Sequence, residues 1–251
     1  MEKTTFFSCY HGELVESILS DKKEVIFHSE FQSGVNLKVD GELIYISYPY
    51  FQVPPFGLML EKSDMDAIKP TLSKAKLSVV NGELLINDEK VSINHSKRVK
   101  THIESININK SVDIEVFTDY LSVSIIEELA TEKNITQLVS FLLGRGQGLT
   151  PSGDDFIVGL LALNSRIKFL PDSVYDVVQQ GIDERKTTDV SIAYLTSSLN
   201  HQFSSSIVAL IESLEDKKKL IANLEMLSSM GHTSGRDTIT GIYYGLKLLD
   251  Q

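Results

Sequence analysis

The sequence predicts an α+β protein, in which a β-rich N-terminal part (a small antiparallel sheet or barrel) precedes an all-helical C-terminal domain. Three observations favour this class. Short apolar or alternating runs fill residues 25–103, hairpin-type dipeptides separate them, and apolar residues recur at three-to-four spacing from about residue 112 onward. A β-rich block followed by a helical block is typical of α+β folds. We place the boundary in the mostly polar stretch 104–111 and predict domains at residues 1–108 and 109–251.

The N-terminal runs predict strands around residues 25–27, 35–39, 43–47 and 76–80. Asp40-Gly41 and Asn81-Gly82 are dipeptides that tolerate the positive φ angles of two-residue hairpin turns. The C-terminal stripes predict helices around residues 117–129, 135–142, 174–182 and 220–227, and Pro171 followed by Asp172 is a typical helix start.

The charge, the cysteine content and the apolar runs of the sequence disfavour several classes of function. The chain has 251 residues and a formal net charge of −10, which disfavours nucleic acid because a phosphate backbone requires clustered basic residues. The single cysteine, Cys9, excludes an internal disulfide. The sequence has neither a signal-peptide pattern nor an apolar run of the roughly 20 residues that a membrane crossing requires. We therefore expect a cytoplasmic protein without membrane or nucleic-acid partners.

Two glycine-rich segments, residues 144–159 and 231–241, share the pattern Ser-Gly-x-Asp-x-x-x-Gly. In the first segment the pattern falls on Ser152, Gly153, Asp155 and Gly159. In the second segment it falls, in the same order, on Ser234, Gly235, Asp237 and Gly241. Two matched loops in one helical domain are able to face a shared site. We predict that the functional site of the chain is built from these segments.

A purely structural interpretation explains part of the pattern. Ser-x-x-Asp resembles a capping box, in which the serine accepts from a first-turn amide and the acidic residue reaches back. Gly159 and Gly241 would then allow close helix packing. Capping alone does not require the alternating Gly144, Gly146 and Gly148, or the additional Asp154.

The functional interpretation begins with a glycine-rich loop at a helix N-terminus, where backbone amides and the helix dipole favour an anion. The predicted substrate- or phosphate-binding residues are Gly144, Arg145, Gly146, Gly148, Thr150, Ser152, Gly153, Thr233, Ser234, Gly235 and Arg236. The predicted catalytic residues are Asp154, Asp155, Asp237 and His232. The carboxylates would repel an anion unless a proton or Mg²⁺ intervened, so Mg²⁺ stays open as a cofactor. Walker, Rossmann and nucleophile-elbow patterns are all absent from the sequence.

The run Gly-x-Gly-x-Gly-Leu-Thr-Pro-Ser-Gly-Asp-Asp-Phe at residues 144–156, with Gly-His-Thr-Ser-Gly-x-Asp at residues 231–237, resembles the signature of the AllH family. The resemblance implies one subunit of an oxamate carbamoyltransferase, a multi-subunit enzyme that acts late in anaerobic allantoin (purine) degradation. It implies a reaction in which phosphate splits oxalurate into oxamate and carbamoyl phosphate. The implied partners are the other subunits and small anions: carbamoyl phosphate, phosphate, oxamate and oxalurate. Arg145 and Gln147 depart from the apolar residue and the proline that many relatives are expected to carry.

Two other functions remain open at this point. The chain is either a non-catalytic assembly or metabolite-binding subunit whose loops dock a partner, or a stand-alone metal-dependent hydrolase that uses its aspartates. Activity of the isolated chain with Mg²⁺ would favour the hydrolase. Activity only together with other subunits leaves the transferase and the assembly subunit.

Overall fold

The computed structural model describes residues 5–20, 23–49, 52–106, 112–123, 134–231 and 233–250. The chain divides into two compact units, Met1–Thr101 and His102–Gln251. The predicted limits of 108 and 109 fall in a stretch that is partly outside the described residues, so those limits stay a prediction.

The N-terminal unit has nine strands in its described residues, and eight of them form a barrel. The strands are β1 Thr5–Gly12, β2 Lys23–Glu30, β3 Gly34–Val39, β4 Glu42–Ser47, β5 Gly57–Leu60, β6 Leu77–Val80, β7 Glu83–Ile86, β8 Glu89–Ser92 and β9 Lys97–Val99. They follow the order β5-β4-β3-β2-β6-β7-β8-β1-β9, and a further pairing of β5 with β1 closes the first eight into a ring. This confirms the barrel among the predicted alternatives. Its pairings are mixed, since β1 runs parallel to β8 and β9, and β4 runs parallel to β5.

The predicted hairpin dipeptides form the turns between β3 and β4 and between β6 and β7. Asp40 and Gly41 have φ angles of +48° and +90°, and Asn81 and Gly82 have φ angles of +54° and +78°. Two successive positive φ angles match the right-handed twist of the flanking strands, which explains why these dipeptides join adjacent antiparallel strands.

Helices α1, Val15–Ile18, and α2, Lys62–Leu72, interrupt the strands. The strand-like interpretation of residues 25–103 missed α2. The signal for this helix is present, because Met65, Ile68 and Leu72 are spaced three and four residues apart and are all buried. Pro70 near its end obscures the pattern, since proline is unfavourable inside a helix.

The C-terminal unit is helical, as predicted. Its helices in the described residues are a 3₁₀ helix at Ile114–Tyr120 and the α-helices α3 Ile135–Leu142, α4 Ser152–Arg166, α5 Asp172–Asp183, α6 Asp189–Leu199, α7 Ser205–Glu212, α8 Lys217–Ser228 and α9 Ser234–Leu249. Helix α4 is buried from Gly153 to Ser165 and forms the centre of the unit. Among the helices of the described residues, not one combines the length and the hydropathy that a membrane crossing needs.

One predicted helix differs from the observed structure. Phe117 lies in the 3₁₀ helix, which ends at Tyr120, and Leu121 has extended backbone. The remaining residues of that predicted stripe, Ile125 and Leu129, lie outside the described residues. The other three predicted helices correspond to α3, α5 and α8, and α5 begins at Asp172 directly after Pro171.

Candidate functional site

Helices α4 and α9, each of which begins in one of the two motifs, pack against each other through their motif glycines. A Cβ added to Gly159 would lie 2.0 Å from the carbonyl oxygen of Thr238, and one added to Gly241 would lie 2.0 Å from that of Phe156. Phe156 and Thr238 occupy equivalent positions in the two motifs, so the contact is reciprocal. The two backbones therefore touch where only glycine fits.

The chain enters both helices in the same way. Gly153 packs against the carbonyl of Leu142 at the end of α3 and donates its amide to Arg145, at 2.9 Å. Gly235 packs against the carbonyl of Leu227 near the end of α8 and donates its amide to Met230, at 3.3 Å. The pairs α3–α4 and α8–α9 thus form two matching helix–loop–helix halves, and each contributes one motif to the interface.

The capping interpretation of the two serines is wrong. Ser152 and Ser234 are the first residues of their helices, whereas Pro151 and Thr233 are the N-caps. Neither N-cap makes a side-chain capping bond. The motif residues therefore serve something other than helix capping.

Asp155 connects the two motifs. Its side chain is buried and lies near the hydroxyls of Ser234, in the second motif, and of Thr150, in the first, both of which act to lower its pKa. Burial raises its pKa well above the ordinary value of 3.8, the Ser234 hydroxyl opposes this rise, and the nearby Asp237 and Asp154 carboxyls add to it. The two predicted loops therefore meet at this side chain, with a carboxyl group whose neutral form is favoured.

Asp237 is the counterpart of Asp155 in the second half. Its side chain has no solvent exposure, and within the described residues neither of its carboxyl oxygens has a hydrogen-bond partner. The Oδ2 atom of Asp155 also lacks a partner among these residues. A buried polar group without a partner is costly. Arg166 Nε and Ser191 Oγ are the two other buried side-chain atoms of the described residues that lack a partner.

Asp154 has a different environment from Asp155. Its Oδ1 accepts from the amide of Gly144 at 2.7 Å, and its Oδ2 accepts from the hydroxyl of Thr187. Burial raises its pKa, and these bonds together with the Ser191 hydroxyl oppose the rise. Because both oxygens are engaged, Asp154 holds the glycine loop against the start of α6 and is less available to a substrate than Asp155.

The alternating glycines of the first loop have φ angles of +76° at Gly144, +125° at Gly146 and +89° at Gly148. A Cβ at Gly144 would lie 2.3 Å from the carbonyl oxygen of Lys186, and one at Gly146 would lie 2.6 Å from the amide nitrogen of Ser152. Gly148 has open space around it. The first two glycines are thus needed for the path of the loop, and Gly148 lines an open side.

The backbone amides at the start of α4 are engaged within the protein. Gly153 donates to Arg145, and Asp154 and Asp155 both donate to the carbonyl oxygen of Pro151, at 2.9 Å and 3.2 Å. The start of α9 is similar, because Asp237 donates to Thr233 at 2.9 Å. The predicted anion site at these helix ends therefore cannot use these amides without breaking existing bonds.

The predicted phosphate-binding arginines, Arg145 and Arg236, contact an aromatic ring and backbone carbonyl oxygens. The guanidinium carbon of Arg145, an exposed residue, lies 4.2 Å from the centre of the Phe141 ring. One nitrogen of Arg236 donates to the carbonyl oxygens of Asp119 and Leu121, at 3.1 Å and 3.5 Å. Arg236 thus ties α9 to the 3₁₀ helix, and its predicted role in binding phosphate stays a prediction.

The remaining predicted residues lie around this centre. Thr233 is exposed beside the start of α9, after Gly231 with a φ angle of +61°. His232, predicted to be catalytic, lies outside the described residues. Within the described parts of the chain, no group of three or more His, Cys, Asp and Glu side chains has the arrangement of a metal site. Burial and the nearby Glu61 raise the pKa of Cys9 to about 11, which disfavours a thiolate nucleophile there.

The set of predicted site residues omitted Thr187 and Thr188. Thr187 donates to Asp154, while Thr188 caps α6 and donates to the carbonyl oxygen of Leu149, at 2.5 Å. The signal in the sequence was the polar run Thr187-Thr188-Asp189 before an apolar stretch, which is typical of a helix N-cap. Through these two hydrogen bonds, Thr187 and Thr188 hold the first loop in place.

The state of Asp155 leads to a prediction about pH. Because its pKa is higher in the folded than in the unfolded protein, ionisation favours unfolding, and its contribution to stability falls as pH rises above about 4. Asp155→Asn should remove this dependence, so that the variant gains up to ~1.4 kcal/mol per pH unit over the wild type until the folded-state pKa is reached. Urea unfolding between pH 4 and pH 8 measures the difference. Asp176→Asn, at an exposed position of α5, is the control, and a difference that did not change with pH would contradict the prediction.

Residues 142–246 match the family described as "Oxamate carbamoyltransferase subunit AllH". The matched segment contains α4 and nearly all of α9, hence both glycine-rich motifs and the Asp155–Asp237 centre. The resemblance drawn from those motifs is therefore confirmed, and the family's description makes its members subunits of a larger enzyme. No solved structure matches the chain.

Proposed function

With residues 142–246 matching the AllH family, we propose that this chain is a subunit of an oxamate carbamoyltransferase that, with its partner subunits, uses phosphate to cleave oxalurate. The products are oxamate and carbamoyl phosphate. We place the carbamoyl group at the junction of α4 and α9, next to Asp155 and Asp237. The observation that carries this placement is the burial of Asp155 and Asp237, one from each family motif, with three of their four carboxyl oxygens lacking a partner within the described residues.

The proposed reaction balances without an external oxidant or reductant. An oxygen of hydrogen phosphate attacks the terminal carbamoyl carbon of oxalurate, and the bond between that carbon and the internal nitrogen breaks. The proton of hydrogen phosphate ends on that nitrogen, which leaves as the amide of oxamate. Buried carboxyl groups suit this chemistry, because they hold polar substrate groups in place and assist proton transfer where water is excluded.

The phosphate would bind on the open side of the first loop. Gly148 has free space there, and the hydroxyl of Thr150, in the same loop, lies near Asp155. The exposed Arg145 is close enough in sequence to reach a phosphate if it leaves the Phe141 ring. The amides that start α4 contribute less than the sequence predicts, since three of them are already donors within the protein.

The test is turnover of oxalurate by the enzyme reconstituted from this chain and its partner subunits. We expect Asp237→Asn, which keeps the size of the side chain and removes its charge, to lower turnover by about 100-fold or more. Asp176→Asn on the exposed side of α5 should leave turnover unchanged. The carbamoyl phosphate that forms is measured by coupling to a kinase that converts it to ATP.

The possible outcomes separate the three functions. Loss of turnover with an intact complex supports the proposed site, whereas loss of the complex itself supports an assembly subunit. Hydrolysis by the isolated chain that depends on Mg²⁺ would support the metal-dependent hydrolase. Full turnover of Asp237→Asn would show that the carbamoyl group is handled elsewhere.

A further inference from the structure

A row of four polar side chains lies in the N-terminal unit, apart from the residues of the proposed reaction. Oε1 of Glu16 lies 3.3 Å from Nε2 of His11, and Nδ1 of His11 lies 2.9 Å from Oγ of Ser96. Oγ of Ser96 in turn lies 3.1 Å from Oγ of Ser8. His11 and Ser8 are buried, Ser96 is partly exposed and Glu16 is exposed. A carboxylate, an imidazole and a hydroxyl in this order are the elements of nucleophilic catalysis by serine.

A β-bulge in β1 explains how Ser8 and His11 come to be buried together. Ser8 pairs with Leu60 and Tyr10 pairs with Met59, so β1 has one extra residue between these two pairs. In a regular strand, residues three apart point to opposite faces. The extra residue reverses this alternation, and Ser8 and His11 are only 4% and 3% exposed. Bulges are over-represented next to active sites, where they redirect a side chain.

The hydrogen bonds at the two ends of the row determine which atom is the base. The hydroxyl of Ser8 donates to two backbone carbonyl oxygens, at 2.8 Å and 3.0 Å, so it accepts from Ser96. The Glu16 carboxylate only accepts, so Nε2 of His11 is the protonated nitrogen of the ring. In the neutral ring Nδ1 is then the basic nitrogen, and it faces the Ser96 hydroxyl. The Ser96 proton therefore has two acceptors within reach, Ser8 Oγ and His11 Nδ1.

The turn that carries Ser96 lies at the surface. Ser96 follows β8 and donates its amide to the carbonyl oxygen of Ile93, at 2.9 Å. Asn94 and His95 are exposed, and His95 has a φ angle of +72°. A residue other than glycine in this conformation is held there by its surroundings, which is common at functional sites. A small molecule is therefore able to reach the Ser96 hydroxyl from solvent, while His11 behind it is shielded from water.

We propose that Ser96, His11 and Glu16 form a second catalytic site, at which Ser96 accepts an acyl group from a small activated ester. Ser96 Oγ forms a bond to the carbonyl carbon of the ester while its proton moves to Nδ1 of His11, and Glu16 stabilises the imidazolium that results. The bond between that carbon and the alcohol oxygen of the ester then breaks, and this oxygen takes the proton from Nδ1. Water releases the acyl group by the same route, so the products are a carboxylic acid and an alcohol.

A fluorophosphonate tests the nucleophile, because it forms a stable bond from phosphorus to the oxygen of an activated serine while fluoride leaves. We expect this reagent to label the full chain at Ser96, as located by mass spectrometry of the digested protein. Ser96→Ala should lose the label and also the hydrolysis of p-nitrophenyl acetate. Ser17→Ala is the control and should keep both, since the hydroxyl of Ser17 donates to the backbone of Leu14.

Two variants test the base and the carboxylate without removing the labelled atom. His11→Gln should lower the rate of labelling at Ser96 by about 100-fold or more, through loss of the general base. Glu16→Gln should lower it by about tenfold, because its exposed position lets water replace part of the effect of the charge. Urea denaturation shows whether each variant is folded. The side chain of Glu16 is 54% exposed, so Glu16→Gln decides the question should His11→Gln not fold.

Two results would overturn this site. One is the absence of label at Ser96 in the folded wild-type chain. The other is a rate of labelling that the folded His11→Gln and Glu16→Gln variants leave unchanged, because the row would then only stabilise the fold. The result does not depend on the cleavage of oxalurate, since the residues of the row all belong to the N-terminal unit. Asp237→Asn should accordingly leave labelling at Ser96 unchanged.

Discussion

Gly241→Ala should lower the free energy of unfolding by about 3 kcal/mol. The new Cβ would lie 2.0 Å from the carbonyl oxygen of Phe156 and 3.0 Å from the amide nitrogen of Leu160, and both of these belong to the backbone of α4. Backbone atoms in a buried helix cannot move aside as a flexible side chain can, so the two helices must separate. The separation should also pull Asp155 away from Ser234. Chemical denaturation measures the first effect, and binding of carbamoyl phosphate measures the second.

Gly245→Ala is a matched control on the same helix. Its Cβ would meet only side-chain atoms, at 2.7 Å from Leu163 and 2.9 Å from Phe169, and these side chains are able to adjust. Both substitutions gain the same helix propensity of about 1 kcal/mol, so this gain cancels in the comparison. If the two variants were equally stable, the close contact between α4 and α9 would not be a determinant of stability.

The barrel was predictable where local rules act alone. Asp40-Gly41 and Asn81-Gly82 require positive φ angles that few other residues adopt, and they form the expected hairpins. The closure of the barrel was not predictable in this way, because it depends on the pairing of β1 with β5, whose partners Ser8 and Leu60 are 52 residues apart. No spacing rule connects strands at such a distance. The parallel pairings of β1 with β8 and β9 also join strands that are far apart in the sequence.

The contact between the two motifs was predictable because they form a repeat. The shared Ser-Gly-x-Asp-x-x-x-Gly pattern indicated two equivalent segments, and the structure places Gly159 against the backbone of Thr238 and Gly241 against that of Phe156. The environment of the acidic residues was not predictable from the pattern. Aspartates in the first turn of a helix are usually exposed and interact with the helix dipole, whereas here tertiary packing buries Asp154, Asp155 and Asp237. Local sequence does not report which helix ends are covered.

The predicted role of the loop amides has less support than that of the carboxyl groups, because local sequence also does not show which amides are already bonded. A glycine-rich loop before a helix indicates free amides, but the turn at residues 142–153 directs them to carbonyl oxygens within the loop. Which amides remain free depends on the exact path of the chain. That path follows from the φ angles of Gly144 and Gly146 and from the bonds of Asp154 to Gly144 and Thr187.

Asp237→Leu should stabilise the protein while it removes the function. The wild-type side chain is completely buried, and no described residue donates to either of its oxygens, so folding strips it of water without full compensation. Leucine has a similar length and no polar atoms. The free energy of unfolding of the isolated chain should therefore rise by about 2 kcal/mol at pH 7, as measured by urea denaturation.

The same variant should lose turnover in the reconstituted enzyme, because the oxygens that make the folded chain less stable are those that the substrate is proposed to satisfy. A strained or unsatisfied group that persists in a folded protein is commonly retained for activity, and its removal exchanges function for stability. Asp154→Leu is the contrasting variant, since both oxygens of Asp154 have partners and their loss should destabilise the fold. A less stable Asp237→Leu variant would mean that Asp237 already has a partner in the folded chain, and the carbamoyl group would then have to be bound by other atoms.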